Sequence, residues 1–197
     1  MKEYLKSCNS NFWKKVFEKE TEYLDKELKH ENEILSIGCG PAIIEKGLKE
    51  KDYKITALDS SKIATRNSPK DLNTSIGSAD NIGFIDNSFD TVIYIVSLQF
   101  IENLKKTIQE TARILRSDGN LIIMLLNPKS KFFKEKRKQE DSYVNKIRHE
   151  KTSKIEEKVK KNFYIKKREY YLGIKNKKII ETKNPNLAAL YIIHATK

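Results

Sequence analysis

The segment Phe89-Asp90-Thr91-Val92-Ile93-Tyr94-Ile95-Val96 is continuously apolar and β-branched after its aspartate. A strand with one wet face alternates apolar and polar residues. One without that alternation is covered on both faces, which calls for a parallel sheet between helices. The rest of the chain agrees. Glu33–Ile37 and Tyr53–Leu58 read as strands, Asn73–Gly77 as a short third, and Leu121–Leu126 as a fifth stopped by Pro128. Between them, residues 11–30 place Phe12, Val16, Tyr23 and Leu24 near one helical face. Pro41 suits the first position of a helix running to about Glu50. Ser60–Asn67 reads as a short helix, and Leu104, Ile108, Ala112 and Leu115 recur at helical spacing before a turn at Ser117-Asp118-Gly119-Asn120. Asn162–Ile174, Lys177–Thr182 and Leu187–Thr196 are strand material without an intervening helix, so the last strand is expected to run antiparallel.

A chain of 197 residues with 38% hydrophobic content builds one domain with a real core. No apolar stretch approaches the roughly 20 residues needed to cross a bilayer, and Met1–Lys6 lacks the apolar segment of a signal peptide. Two cysteines, one of them in a glycine turn, make no disulfide framework. These bounds predict a cytoplasmic single domain that does not enter a membrane. The net charge of +12 is unevenly spread. Residues 1–128 hold 18 Lys+Arg against 19 Asp+Glu, whereas residues 129–197 hold 21 against 8. Such asymmetry fits either an acidic partner or a solvated helical face.

The chemistry is signalled at Gly38-Cys39-Gly40, which follows a strand and opens a helix. Glycines there let backbone approach a ligand closely. Asp59 ends the second strand 21 residues after Gly38, where a carboxylate can accept both hydroxyls of a ribose. A nicotinamide dinucleotide site would want a third glycine at Ile43, and a phosphate loop would want Gly-Lys-Ser/Thr; both are missing.

Four stretches together carry a resemblance. Ile34-Leu35-Ser36-Ile37-Gly38-Cys39-Gly40-Pro41-Ala42 resembles the glycine motif of class I S-adenosylmethionine-dependent methyltransferases, and Ala57-Leu58-Asp59-Ser60-Ser61 their acidic end of strand two. Gly77–Asp90 is similar to their adenine loop and entry to strand four, and Ala112–Leu121 to the helix, turn and start of strand five. The resemblance spans about residues 33–128. It implies a Rossmann-like three-layer α/β/α sandwich whose seven-stranded, mostly parallel sheet has an antiparallel last strand. It implies S-adenosyl-L-methionine as cofactor. Gly38, Cys39 and Gly40 would then pack backbone against its methionine part and ribose. Asp59 would bind the ribose hydroxyls and Ser60 would cover the adenine. Ala79 would offer its N–H to an adenine nitrogen, with Asp80 sharing the exocyclic-amine contact where the family often has an acid at Ser78. Ser97 and Gln99 fall where the methyl-donor pocket is lined. The acid usually found before the glycine turn is Ser36 here, which removes one partner for the cofactor's ammonium group, and the third small residue is Ala42.

The chain accordingly divides into an N-terminal helical cap (1–32), a cofactor-binding core (33–128), a basic, mostly helical insertion or lid (129–161) and final strands (162–197). The expected lid turns Phe132, Phe133 and Tyr143 to the pocket and its lysines mainly to water. No metal site is indicated, because neither cysteine has zinc-type partners and His30, His149 and His194 are scattered. Asn127-Pro128 follows strand five rather than strand four, so the adenine amino-methylating signature is not matched, and a Pro-Cys nucleophile for cytosine chemistry is absent. The expected function is methyl transfer from S-adenosylmethionine to a small-molecule acceptor. Two alternatives stay open at this point: an RNA- or protein-modifying enzyme using the Lys-rich segment 129–178, and a cofactor-binding subunit without chemistry of its own. No catalytic base is nominated.

Overall fold

The computed structural model describes Cys8 and residues 10–197; the Met1–Lys6 stretch read for a leader lies outside the described residues. Helix α1 (Asn11–Glu27) is capped by Ser10, whose hydroxyl accepts the Trp13 N–H. Then come β1 (Glu33–Ile37), α2 (Ile43–Lys49), β2 (Lys54–Asp59), α3 (Lys62–Arg66), β3 (Asn73–Ile76), β4 (Phe89–Ile95), α4 (Leu104–Ile114) and β5 (Leu115–Leu126). The last third holds α5 (Lys131–Arg137), a 3-10 turn (Tyr143–Lys146), α6 (Thr152–Val159), β6 (Tyr164–Lys175), β7 (Lys178–Ile180) and β8 (Ala188–Thr196).

The sheet order is β3-β2-β1-β4-β5-β8-β6-β7. Strands β1 to β5 are parallel neighbours, and β8 slots antiparallel between β5 and β6. Seven of the strands realise the expected topology. The eighth, β7, is a three-residue edge strand folded back on β6 through Asn176 and Lys177, both with positive φ. The lack of polar alternation has its predicted cause. Ile34, Ile93, Ile122 and Ile192 enter one core, while their chain neighbours Leu35, Val92, Ile123 and Ile193 enter the other. Helices α1, α2 and α5 cover the first core, and α4 and α6 the second. Among the described residues no helix is long and apolar enough to cross a membrane.

Two local expectations change. Helix α2 starts at Ile43 rather than Pro41, because Ala42 adopts a left-handed φ of 54° that no helix can include. The Ser117–Asn120 turn is absorbed into β5 as an irregularity: Leu115 pairs with Phe89 and Asn120 with Thr91, so the intervening residues bulge against Asp90. The insertion, read as mostly helical, is built of two short helices and the 3-10 turn, separated by turns.

Candidate functional site

The carboxyl ends of β1, β2 and β4 open onto a cavity of about 750 Å³, a size typical of small-molecule sites at this edge of an α/β sheet. Its floor is the glycine turn. Gly38, Gly40 and Ala42 all have positive φ, at 78°, 57° and 54°. A Cβ on Gly38 would stand 2.4 Å from the Ser97 Cβ, so glycine is required there by space as well as by conformation. Ser97 presses on the turn because its hydroxyl donates to the Ile37 carbonyl at 2.5 Å. Val96 beside it is also left-handed, at 51°, a conformation unfavourable for a β-branched residue. Strain is thus concentrated where β1 and β4 meet the cavity.

The N–H groups of the turn are spent inside the protein. Gly38 and Cys39 donate to the Leu58 carbonyl, Gly40 to Asp59 Oδ2 at 2.8 Å, and Ala42 to the Cys39 carbonyl. A pyrophosphate cradle needs those donors pointing outward; here they point inward. Asp59 also accepts the Ser61 N–H on its other oxygen at 2.8 Å. Each carboxylate oxygen keeps a further lone pair for a hydroxyl at the cavity wall. On the adenine-loop side, Ser78 donates a short hydrogen bond to Asp80. Arg113 and Glu110 of α4 strap the following residues by holding the Ile82 N–H and the Ile82 and Phe84 carbonyls.

Gly38, Cys39, Gly40, Asp59, Ser60, Ser78, Ala79, Asp80 and Ser97 all line this cavity. Ser36 and Gln99 do not. Ser36 is fully buried and donates to Glu45 Oε1 at 2.5 Å. Gln99 is equally buried and clamps Leu126 through both ends of its amide, at 3.1 and 2.7 Å, while its carbonyl accepts from Arg148 and His149. Of the lid residues, Phe132 and Tyr143 face the cavity, whereas Phe133 is buried elsewhere, under the Arg137 guanidinium. Lys136, expected in water, lines the cavity as well. Burial pushes the Cys39 thiol up, so it stays protonated at neutral pH and makes a poor nucleophile.

Two lining residues carried no signal in the reading of the motifs: Glu20 of α1 and Glu45 of α2, exposed by only 4% and 3%. Desolvation pushes Glu20 up to about 8, with the Glu45 charge adding to it; desolvation also pushes Glu45 up to about 7 against the Ser36 hydrogen bond. The side of the cavity around Glu20 is walled by Trp13, Phe17, Phe100, Phe132 and Tyr143. Trp13 stacks on Phe17 and meets Phe132 edge-on, and Phe100 stacks on Tyr143.

Residues 35–123 match the family described as "Methyltransferase domain". The match runs from β1 to β5 and, with the sheet order above, supports a class I S-adenosylmethionine-dependent methyltransferase fold with S-adenosylmethionine as the implied cofactor. Among curated proteins it is 30% identical over 106 residues to a demethylmenaquinone methyltransferase of Thermotoga maritima, covering 51% of this chain and 46% of that one. It is 31% identical over 108 residues to an uncharacterized protein of Methanocaldococcus jannaschii, covering 55% and 42%. The chain thus spans about half the length of the curated relatives it matches. Among solved structures, a methyltransferase of Thermotoga maritima described as a possible histamine N-methyltransferase superposes with a TM-score of 0.76. That likeness has 20% identity, covers 92% of this chain and 89% of the other, and shows the fold alone.

Proposed function

We propose that the chain is a cytoplasmic methyltransferase of one domain that moves the methyl group of S-adenosylmethionine to a small-molecule nucleophile, with residues 129–161 as its lid. The observation that carries this reading is the inward-turned glycine loop next to two buried carboxylates. The N–H groups of Gly38, Cys39 and Gly40 are not free for a dinucleotide's phosphates, whereas S-adenosylmethionine has no phosphate and brings an ammonium. The fit extends along the cavity. Asp59 takes the ribose hydroxyls, Ser60 and Ala79 the adenine, and Asp80, oriented by Ser78, its exocyclic amine. Gly38, Cys39 and Gly40 lie against the remainder beside Ser97. Glu45, fixed by Ser36, supplies the carboxylate that the motif itself lacks. Ser36 so contributes through Glu45 rather than by touching the ligand, and Gln99 contributes by holding the lid to β5.

Once bound, the cofactor supplies an electrophilic methyl on a sulfonium, so the chain's task is alignment and exclusion of water. Alignment of this kind contributes about 7–11 kcal/mol. The test is calorimetry with S-adenosylhomocysteine, followed by methyl-release assays on metabolite, RNA and protein pools. Asp59→Asn keeps an acceptor oxygen but removes the charge, and is expected to weaken binding about ten- to a hundredfold, from charge-assisted bonds of about 1.5–3 kcal/mol. Unchanged affinity in a folded variant removes Asp59 from the site.

A further inference from the structure

Glu20 is the unusual group in this cavity. It is 4% exposed, yet among the described residues its carboxylate has no hydrogen-bond or ion-pair partner. Glu45, its acidic neighbour, is at least tied to Ser36. The two cations that line the cavity are turned elsewhere: Lys136 donates to Gln139, and Arg148 approaches Glu102 at 3.7 Å. An ionised carboxylate taken out of water without a partner costs several kcal/mol, so Glu20 must carry a proton or meet a cation. The walls around it favour a cation, because aromatic faces attract positive charge. They also favour an apolar body attached to that cation, since Trp13, Phe17, Phe100 and Phe132 offer little else.

The position matters as much as the chemistry. Glu20, on α1, neighbours Glu45 and the lid residue Tyr143, and Glu45 in turn neighbours Cys39 of the glycine turn and Asp59. We propose that this chamber is the acceptor site and that it takes an amine on an apolar body, with Glu20 as the residue that binds the ammonium and then receives its proton. The proposal rests on the methyl-transfer reading for its chemical step. In that step one N–H bond of the ammonium breaks and the proton passes to the Glu20 carboxylate. The freed nitrogen lone pair forms a bond to the methyl carbon, and the carbon–sulfur pair returns to sulfur. Neutral S-adenosylhomocysteine and an N-methylammonium product result, and the charge of the sulfonium ends on nitrogen. Glu20 then loses its proton to solvent.

Desolvation sets the titration of Glu20, with the charge of Glu45 from α2 adding to it, and Tyr143 of the lid and Tyr171 of β6 in turn feel the Glu20 charge. Burial pushes both tyrosines up, leaving them neutral. At neutral pH Glu20 is mostly protonated when the chamber is empty, so an arriving ammonium displaces its proton.

The experiment measures binding of 2-phenylethylamine and tryptamine, with 2-phenylethanol as the uncharged control, to wild type and Glu20→Gln. It is run with and without S-adenosylhomocysteine, in buffers of different ionisation enthalpy. The amines are expected to bind at least tenfold tighter than the alcohol, to release about one proton at pH 7, and to lose that advantage and that proton release in Glu20→Gln. S-adenosylhomocysteine affinity should change less than threefold. Amines that fail to bind, an alcohol that binds equally well, or Glu20→Gln with unchanged amine affinity would each overturn the assignment. So would a tenfold loss of S-adenosylhomocysteine affinity with amine binding intact, which would make Glu20 a cofactor residue. If S-adenosylhomocysteine binds neither protein, the methyl-transfer reading falls, while the cofactor-free arm still decides whether Glu20 holds amines.

Discussion

Two acidic clusters flank helix α1, and they handle charge in opposite ways. Glu20 and Glu45 face the cavity; among the described residues Glu45 is held by the Ser36 hydroxyl and a backbone N–H, and Glu20 has no hydrogen-bond partner. Glu27, Glu169 and His194 lie within 4.8 Å of one another toward the amino ends of β1 and β4, and there every group is answered. Lys167 bridges Glu169 at 2.5 Å and Glu27 at 3.2 Å, and the Tyr23 hydroxyl donates to Glu169 with His194 Nε2 2.6 Å away. The ammonium of Lys167 already occupies the place a cation would take, so this second cluster latches α1 to β6 and β8. An acid cluster left without a cation in a cavity, beside one so thoroughly neutralised, is the pattern that a ligand site leaves.

The contrast has a sign that pH reveals, and the largest predicted effect follows from it. Glu20 is raised to about 8 in the folded chain, so on raising pH the unfolded chain loses this proton first. Stability from this group is full below about pH 4.5 and is lost as pH climbs to 8. In the latch, Glu169 is held below the ordinary carboxylate range: burial opposes this, but hydrogen bonds from Lys167 and Tyr23 prevail. His194 is lowered, chiefly by desolvation. Those contributions are lost as pH falls, through about 6.5 for the histidine and below about 4.5 for the glutamate. Glu20→Gln should therefore stabilise the ligand-free protein at pH 8, on the order of 3–4 kcal/mol, with little effect at pH 4.5. Glu169→Gln should destabilise it near neutral pH by about 3 kcal/mol. Urea titrations across pH check both, and equal signs at pH 8 would erase the distinction between the clusters.

An acid with a hydroxyl partner sits between these extremes and sharpens the comparison. Asp80 receives the Ser78 hydroxyl, so Ser78 orients the carboxylate rather than replacing it. Asp80→Ala is expected to weaken S-adenosylhomocysteine by about tenfold, and Ser78→Ala by about threefold, since a bond to a charged acceptor is worth more than the hydroxyl that directs it. Calorimetry on the two variants decides; equal or reversed losses return the contact to Ser78.

How much of this was legible in the chain differs between backbone and side chain. The apolar strands announced a sheet covered on both faces because burial on two faces removes alternation, and 92–94 and 122–124 do alternate between the two cores. Asp59 was legible because a strand end fixes where its side chain points. Glu20 was not, because α1 is rich in Glu and Lys, and composition does not say which acid turns inward. The available signal was spacing: Val16, Glu20 and Leu24 recur every four residues, which sets a carboxylate in the middle of an apolar stripe. The left-handed Ala42 was illegible for another reason. A helix start is read from residue types such as Pro41, whereas this one is set by how the turn packs between β1, β2 and Ser97.

Charges that face only water should do least, and they settle what the basic third is for. Lys136 and Arg137 are unsuited to such a test. Lys136 lines the cavity, and Arg137 donates to the Val144 carbonyl and Glu150, so changing them disturbs the lid itself. Lys134, Lys138, Lys154, Lys160 and Lys161 are exposed and have no ion-pair partner among the described residues. If they track phosphates, RNA binding must fall steeply with salt, because each neutralised phosphate releases condensed counterions. If they merely solvate the outer faces of α5 and α6, replacing all five with Gln removes solubility but not function. The cavity lies under the lid, and its rim cations are turned to Gln139 and Glu102, so a phosphate chain would find no basic path inward. The five-fold variant is therefore expected to keep turnover on a small amine within about twofold and to show RNA binding as weak as wild type near physiological salt. A steep salt slope in wild type that the variant abolishes, together with methylation of RNA, would move the acceptor from the Glu20 chamber to the surface.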